Sequence, residues 1–257
     1  MQIVRNVGHI KDQQRTGRLL TAVGFVGLAA AFVLVWWQRN YPTLIIAAYA
    51  LMLVGFVFFN MGLQKVSKFV SNERKKRPDE QVDKALSRLN DRYTVIHYAQ
   101  LGKRVVDHLV IHTGGIIVLT LREVTGKVIV NENRWRKGGN PLGRFFNYSA
   151  PQLGNPSLDN GNDVAAVRAM LEEAGLPDVV EGAIVFTSPL AEVSGSSPID
   201  VLGIDELLEH VRTVANDRER PPLNAKERTA IVAALSQGKE LEQPATRLER
   251  RKRAAQG

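Results

Sequence analysis

From Leu19 to Trp37 the chain runs 19 residues without a charge, and from Thr43 to Leu63 it runs 21 more. At the helical rise of ~1.5 Å per residue each run reaches about 30 Å, the thickness of a bilayer hydrocarbon core. Neither run carries the polar stripe expected of a helix at the surface of a soluble domain. The pattern therefore predicts a transmembrane hairpin, 19–37 and 43–63, turned by Gln38–Pro42. Trp36, Trp37 and Tyr41 sit where amphipathic rings favour the headgroup layer. A cleaved signal peptide is the bland alternative, but the first run is long for one and a second follows at once.

After Pro78 the periods shorten. Val82, Leu86 and Leu89 fit one face of a helix over Asp79–Asn90. Tyr93–Tyr98, Lys103–His112 and Gly115–Arg122 read as strands, the last two joined by Thr113-Gly114-Gly115 as a hairpin, with Lys127–Val130 as a third strand of the same meander. Asn133–Pro156 reads as a long loop. A helix over Asn160–Ala174 turns Val164, Val167, Met170 and Leu171 inward and stops at Gly175. Ala183–Phe186 is a buried strand and Val201–Leu202 an edge strand. Helices follow over Asp205–Ala215 and Asn224–Ser236, the latter opened by an Asn224/Glu227 capping box.

The layout is a basic N-terminal segment 1–18, the hairpin, a basic linker 64–77, a domain over 78–215, a helical extension 216–243 and a basic tail 244–257. The net charge of +8 dissolves when divided along the chain, since residues 78–243 hold 18 Lys/Arg against 23 Asp/Glu. The basicity belongs to the tail and to the flanks of the apolar runs, so it is no argument for nucleic acid. Arg5, Lys11, Arg15 and Arg18 precede the first run; Lys65, Lys68, Arg74, Lys75, Lys76 and Arg77 follow the second; Arg39 alone lies between. That bias predicts a cell-membrane protein with both termini and the domain cytoplasmic, and a linker lying against anionic headgroups. Gly27 and Ala31 could pack the hairpin or a homo-oligomer. Zero cysteines exclude disulfides and cysteine-ligated metal.

Lys127, Arg134, Arg136, Lys137 and Arg144, against Glu132 alone, interleave with Trp135, Phe145, Phe146 and Tyr148. That composition suits a nucleic-acid surface, a loop on a membrane, or aromatics capping the core. No Gly-rich nucleotide motif is present. His108 and His112 would lie about 13 Å apart on a strand rising ~3.3 Å per residue, too far for one ion, and read as structural.

The order helix, strand, strand hairpin, helix, strand resembles the restriction-endonuclease-like core, an α/β fold with a mixed sheet flanked by helices. Val105-Val106-Asp107-His108-Leu109-Val110-Ile111, Gly114-Gly115-Ile116-Ile117-Val118-Leu119, Gly126-Lys127-Val128 and Trp135 resemble the NERD (nuclease-related) domain. Asn155-Pro156 before a helix, and Val185-Phe186-Thr187 followed by Leu207-Leu208, fit the same layout; the likeness covers about residues 75–215. It implies a Mg²⁺-dependent nuclease site of the form D…(E/Q)-x-K. There an Asp and a Glu hold the ion, a Lys stabilises developing charge, and an acid often comes from the first helix.

Carried onto this chain, the Asp is Asp107 and the helix acid Glu80, while the Glu position falls on Thr120 and the Lys position on Arg122. Thr120 denies a hard cation one anionic ligand, and Arg122 keeps charge but yields no proton near neutral pH. Asp107 could equally pair with Arg122, and Glu80 could simply be a first-turn helix acid. The expectation is a catalytically weakened membrane-anchored module without cofactor, binding nucleic acid or a protein. The alternatives are an active Mg²⁺ nuclease with a carboxylate relocated to Glu80 or Glu123, and a non-catalytic scaffold.

Overall fold

The computed structural model describes residues 1–37, 43–71, 75–138, 152–217, 221–236 and 241–242. The chain forms two compact units, residues 8–77 and residues 1–7 with 78–257. The hairpin turn at 38–42, the loop at 139–151 and the tail from 243 lie outside the described residues.

The first unit is made of α1 (Val7–Trp37) and α2 (Leu44–Phe69). Buried positions recur every seven residues, as Ile10, Gly17, Gly24 and Ala31 on α1 and Ala48, Gly55, Gly62 and Phe69 on α2. Small side chains on a seven-residue repeat let two helices lie almost backbone to backbone. A Cβ at Gly24 would stand 2.3 Å from the Phe59 nitrogen, and one at Gly62 would stand 2.4 Å from that of Thr21. Ala31 is fully buried and Gly27 faces Gly55, so the pair noted in the sequence packs the hairpin itself. The outer surface is apolar, with Leu19, Phe25, Phe32, Ile46 and Leu53 all exposed. Both helices are long and apolar enough to cross a membrane by length and composition.

The second unit is built on a seven-stranded mixed sheet in the order β10-β1-β2-β3-β4-β7-β9. Its strands are β1 (Gln2–Asn6), β2 (Thr94–Leu101), β3 (Arg104–His112), β4 (Gly115–Arg122), β7 (Val180–Phe186), β9 (Asp200–Gly203) and β10 (Leu241–Glu242). β2, β3 and β4 are the expected antiparallel meander, and β4, β7 and β9 run parallel. β1 lies between β2, which it parallels, and β10. The residues read as the start of a basic N-terminal segment are thus an inner strand of the sheet.

Both faces are covered, which is why the strands read as unbroken apolar runs. Alternate residues of β4 divide between two cores. Ile116 and Val118 pack with Val167 and Leu171 of α4 (Pro156–Glu173) and Ile231 and Leu235 of α6 (Ala225–Leu235). Ile117 and Leu119 pack with Val82 of α3 (Pro78–Ala85) and Leu207 and Val211 of α5 (Leu207–Ala215).

Lys127–Val130 does not continue the meander. β7 occupies the free edge of β4, so β5 (Gly126–Asn131) joins a separate sheet, β6-β5-β8, with β6 (Arg134–Lys137) and β8 (Ala191–Ser196). Its Val128 packs with Ile184 and Phe186 of β7.

Candidate functional site

The site grows from two neighbouring strands and one helix start. Thr120 and Arg122, two apart on β4, point to the same side. The β3–β4 ladder ends at the pair His108 and Leu119, with Asp107 next in sequence on β3 and Thr120 next on β4. α4 begins beside them. Asn155 caps it by accepting from the Leu158 N–H, and Pro156 occupies the first turn, where its missing N–H costs nothing. That start delivers Asp159, Asn160 and Asp163 to the strands.

Each potential ligand in this group already has an internal partner. Arg122 donates from Nη2 to the Asp159 carboxylate, from Nε to the Leu153 carbonyl at 2.9 Å, and from Nη1 to the Leu121 carbonyl at 3.0 Å. Arg104 donates from Nε to Asp163 Oδ1 at 2.5 Å. The buried Asn160 amide donates to Thr120 Oγ1 and to the Val118 carbonyl, both at 3.0 Å. Gly182 on β7 leaves the space for it, since a Cβ there would stand 1.8 Å from Asn160 Oδ1. Burial pushes the Asp163 carboxyl above the usual range, opposed by Arg104 and reinforced by the charges of Asp107 and Asp159.

Three carboxylates and two guanidiniums thus share one corner. A hard divalent cation needs anionic oxygens free to turn toward it. Here Asp159 and Asp163 hold arginines and Thr120 brings a hydroxyl engaged by an amide, so the donor set does not fit Mg²⁺. Among the described residues, no three His, Asp or Glu side chains are grouped to hold a metal ion.

Glu80 is not brought to this corner. It sits on α3, which packs against the sheet face opposite that covered by α4. The inward acids of α3 are Asp79 and Asp83. Fully buried Asp79 lies 2.8 Å from Arg5 Nε, and Asp83 pairs with Arg5 Nη2 and, at 2.9 Å, with His97 Nε2. His97 Nδ1 meets His108 Nδ1 at 2.8 Å, so His108 belongs to this buried network, while His112 Nδ1 accepts from the Gly114 N–H. Both histidines are buried.

The basic strands divide. Lys127, Arg134 and Arg136 are exposed and Lys137 is half-buried. Trp135 turns inward, its Nε1 donating to Ser157 Oγ at 2.7 Å and its ring 6.1 Å from Phe186. Its half-buried indole packs against the cluster of Val124, Val128 and Phe186. Arg144, Phe145, Phe146 and Tyr148 lie outside the described residues.

Sequence reasoning missed Arg104, Asp159, Asn160 and Asp163. The signal was the Asn155-Pro156 cap, which fixes the helix start and with it the side chains on its first two turns. No curated protein and no solved structure shows a significant match to the chain. Residues 74–187, which carry Asp107, Thr120, Arg122 and the whole of α4, match the family model of NERD, the nuclease-related domain.

Proposed function

We propose that the chain is a nuclease-related domain tethered to a membrane by its helical hairpin. Its nuclease site is closed by internal ion pairs, and the domain works by binding, not by cleavage. The observation that carries this reading is the double occupation of the α4 acids, Asp159 by Arg122 and Asp163 by Arg104. A guanidinium beside each carboxylate does the neutralising that the family's metal would do, and it brings no activated water.

Membrane anchorage is supported by the exposed apolar surface of both helices and by chain parity. β1 precedes α1, β2 follows α2, and the two strands pair in one sheet. Both ends of the hairpin are therefore on the same side of any membrane, which requires two crossings or none. Loss of the first helix as a signal peptide would also remove an inner strand. The basic flanks favour the cytoplasmic side for the sheet. The exposed cations of β5 and β6, Lys127, Arg134 and Arg136, are the surface we assign to an anionic partner, a nucleic acid in the first instance.

The test uses the full chain in detergent, because residues 2–6 complete the sheet. Calorimetric titration with Mn²⁺ is expected to give no heat of specific binding, and Thr120→Glu with Arg122→Lys is expected to restore it. Manganese-dependent cleavage of DNA by the unaltered chain, abolished by Asp107→Ala, would overturn the reading and make the protein an active nuclease. Oligonucleotide binding that weakens with salt and with Arg134→Gln and Arg136→Gln supports the binding role. A flat response at low salt leaves a scaffold.

A further inference from the structure

The two helices do not end where their apolar runs end. α1 starts at Val7, well before Leu19, and α2 continues past Leu63 to Phe69. Over this stretch they stay paired. Lys65 Nζ donates to Gln13 Oε1 and Gln14 Nε2 to the Phe69 carbonyl, each at 2.7 Å. The His9 ring meets the Phe69 ring edge-on at 5.8 Å. The charged end of the hairpin is an ordered two-helix stem.

Lys11, Arg15 and Arg18 are spaced by four and three residues, which places them along one side of α1. All three are exposed, and the stripe lies away from the Ile10–Gly17 seam. It stops one residue before Leu19, which is 64% exposed. From Lys11 to Arg18 the helix rises about 10 Å, enough to pass through a headgroup layer about 5–8 Å deep. Within α1 no basic side chain follows Arg18, and the helix closes on Trp36 and Trp37. A row of cations on a rigid stem, starting at the apolar edge, matches a row of phosphates in position and charge.

We propose that Lys11, Arg15 and Arg18 form a binding stripe for the headgroups of anionic phospholipids. This rests on the membrane hairpin above. Arginine grips phosphate oxygens in pairs, and the stem holds the three heads in register. Each cation near an anionic leaflet strengthens association roughly fivefold, so the three together give on the order of a hundredfold.

The experiment uses the full chain in neutral detergent, titrated with phosphatidylglycerol or phosphatidylcholine and read by native mass spectrometry. Phosphatidylglycerol is expected to bind at least about tenfold tighter. The triple variant Lys11→Gln, Arg15→Gln, Arg18→Gln should lose that preference while its helicity and phosphatidylcholine binding stay unchanged. Arg15→Lys alone should keep it. Equal binding of the two lipids by the unaltered chain overturns the proposal without needing any variant. So does a triple variant that keeps the preference, or one that loses oligonucleotide binding instead. Detergent phase separation reads the hairpin independently. A chain in the aqueous phase fails both readings, whereas one in the detergent phase that does not discriminate lipids fails this one alone.

Discussion

Replacing Arg5 by Met tests the network that fastens the N-terminal strand to the domain. Arg5 places Nε 2.8 Å from Asp79, whose side chain is fully buried, and Nη2 on Asp83. Met retains the length of the side chain and removes the charge, leaving two carboxylates beside a buried imidazole pair. Breaking a buried ion pair by removing one partner costs about 3–5 kcal/mol, because the remaining charge stays uncompensated. For a unit of this size that lowers the melting temperature by roughly 6–20 °C. Differential scanning calorimetry of the full chain in detergent measures the loss. The companion variant Asp79→Asn with Arg5→Met should recover a large part of it, since the two changes act on one interaction. A loss below about 1 kcal/mol for Arg5→Met, the range of an exposed pair, would refute the reasoning. So would strict additivity of the two changes.

Three further outcomes are expected. Asn160→Ala leaves the Thr120 hydroxyl and the Val118 carbonyl without their donor and opens a gap above Gly182, costing about 1–3 kcal/mol in denaturant unfolding; a neutral result would mean α4 is not held there. Gly24→Val forces a side chain into the backbone at Phe59, so the hairpin should lose its compact mobility in detergent gels, while Leu53→Val on the exposed surface should not; equal behaviour would remove the close seam. The Asp163 carboxyl titrates higher in the folded chain than in the unfolded one, so its contribution is fully present below the unfolded value of 3.8 and is lost as pH rises through the folded value. Melting curves between about pH 7 and pH 4 should therefore show the unaltered chain gaining on Asp163→Asn as the pH falls; a constant gap would contradict the burial argument.

The hairpin and the central strands are legible in the sequence because their signals are long and local: two uncharged runs, then apolar strands with a Gly-Gly turn. What escapes is set by distant partners. β1 is five residues long, and nothing within Gln2–Asn6 announces that a slot beside Thr94–His97 awaits it. β5 carries a strand pattern, but the pattern cannot reveal that β7 has taken the edge of β4. Within the site, Thr120 and Arg122 lie on one strand and both bond side chains at the start of α4. The partners that close the site were missed through a helix start set four residues late, at Asn160 instead of Pro156. The sequence likewise does not show that Asp79 and Asp83 are the α3 acids that pair with Arg5. One residue is about 100° of helix, enough to separate the fully buried Asp79 from the half-buried Glu80 beside it.

The position of β1 also governs the order of assembly. The ribosome makes this strand before either apolar helix, yet its neighbours β2 and β10 are made only after both. The sheet cannot close until both helices have been made, so the strand must wait unpaired while the intervening chain is synthesised. Such a long-range closure is slow. For a hairpin that spans a membrane, as proposed above, completion of the domain would also report that both helices have crossed, since a hairpin threaded once would leave β1 on the wrong side with its slot empty.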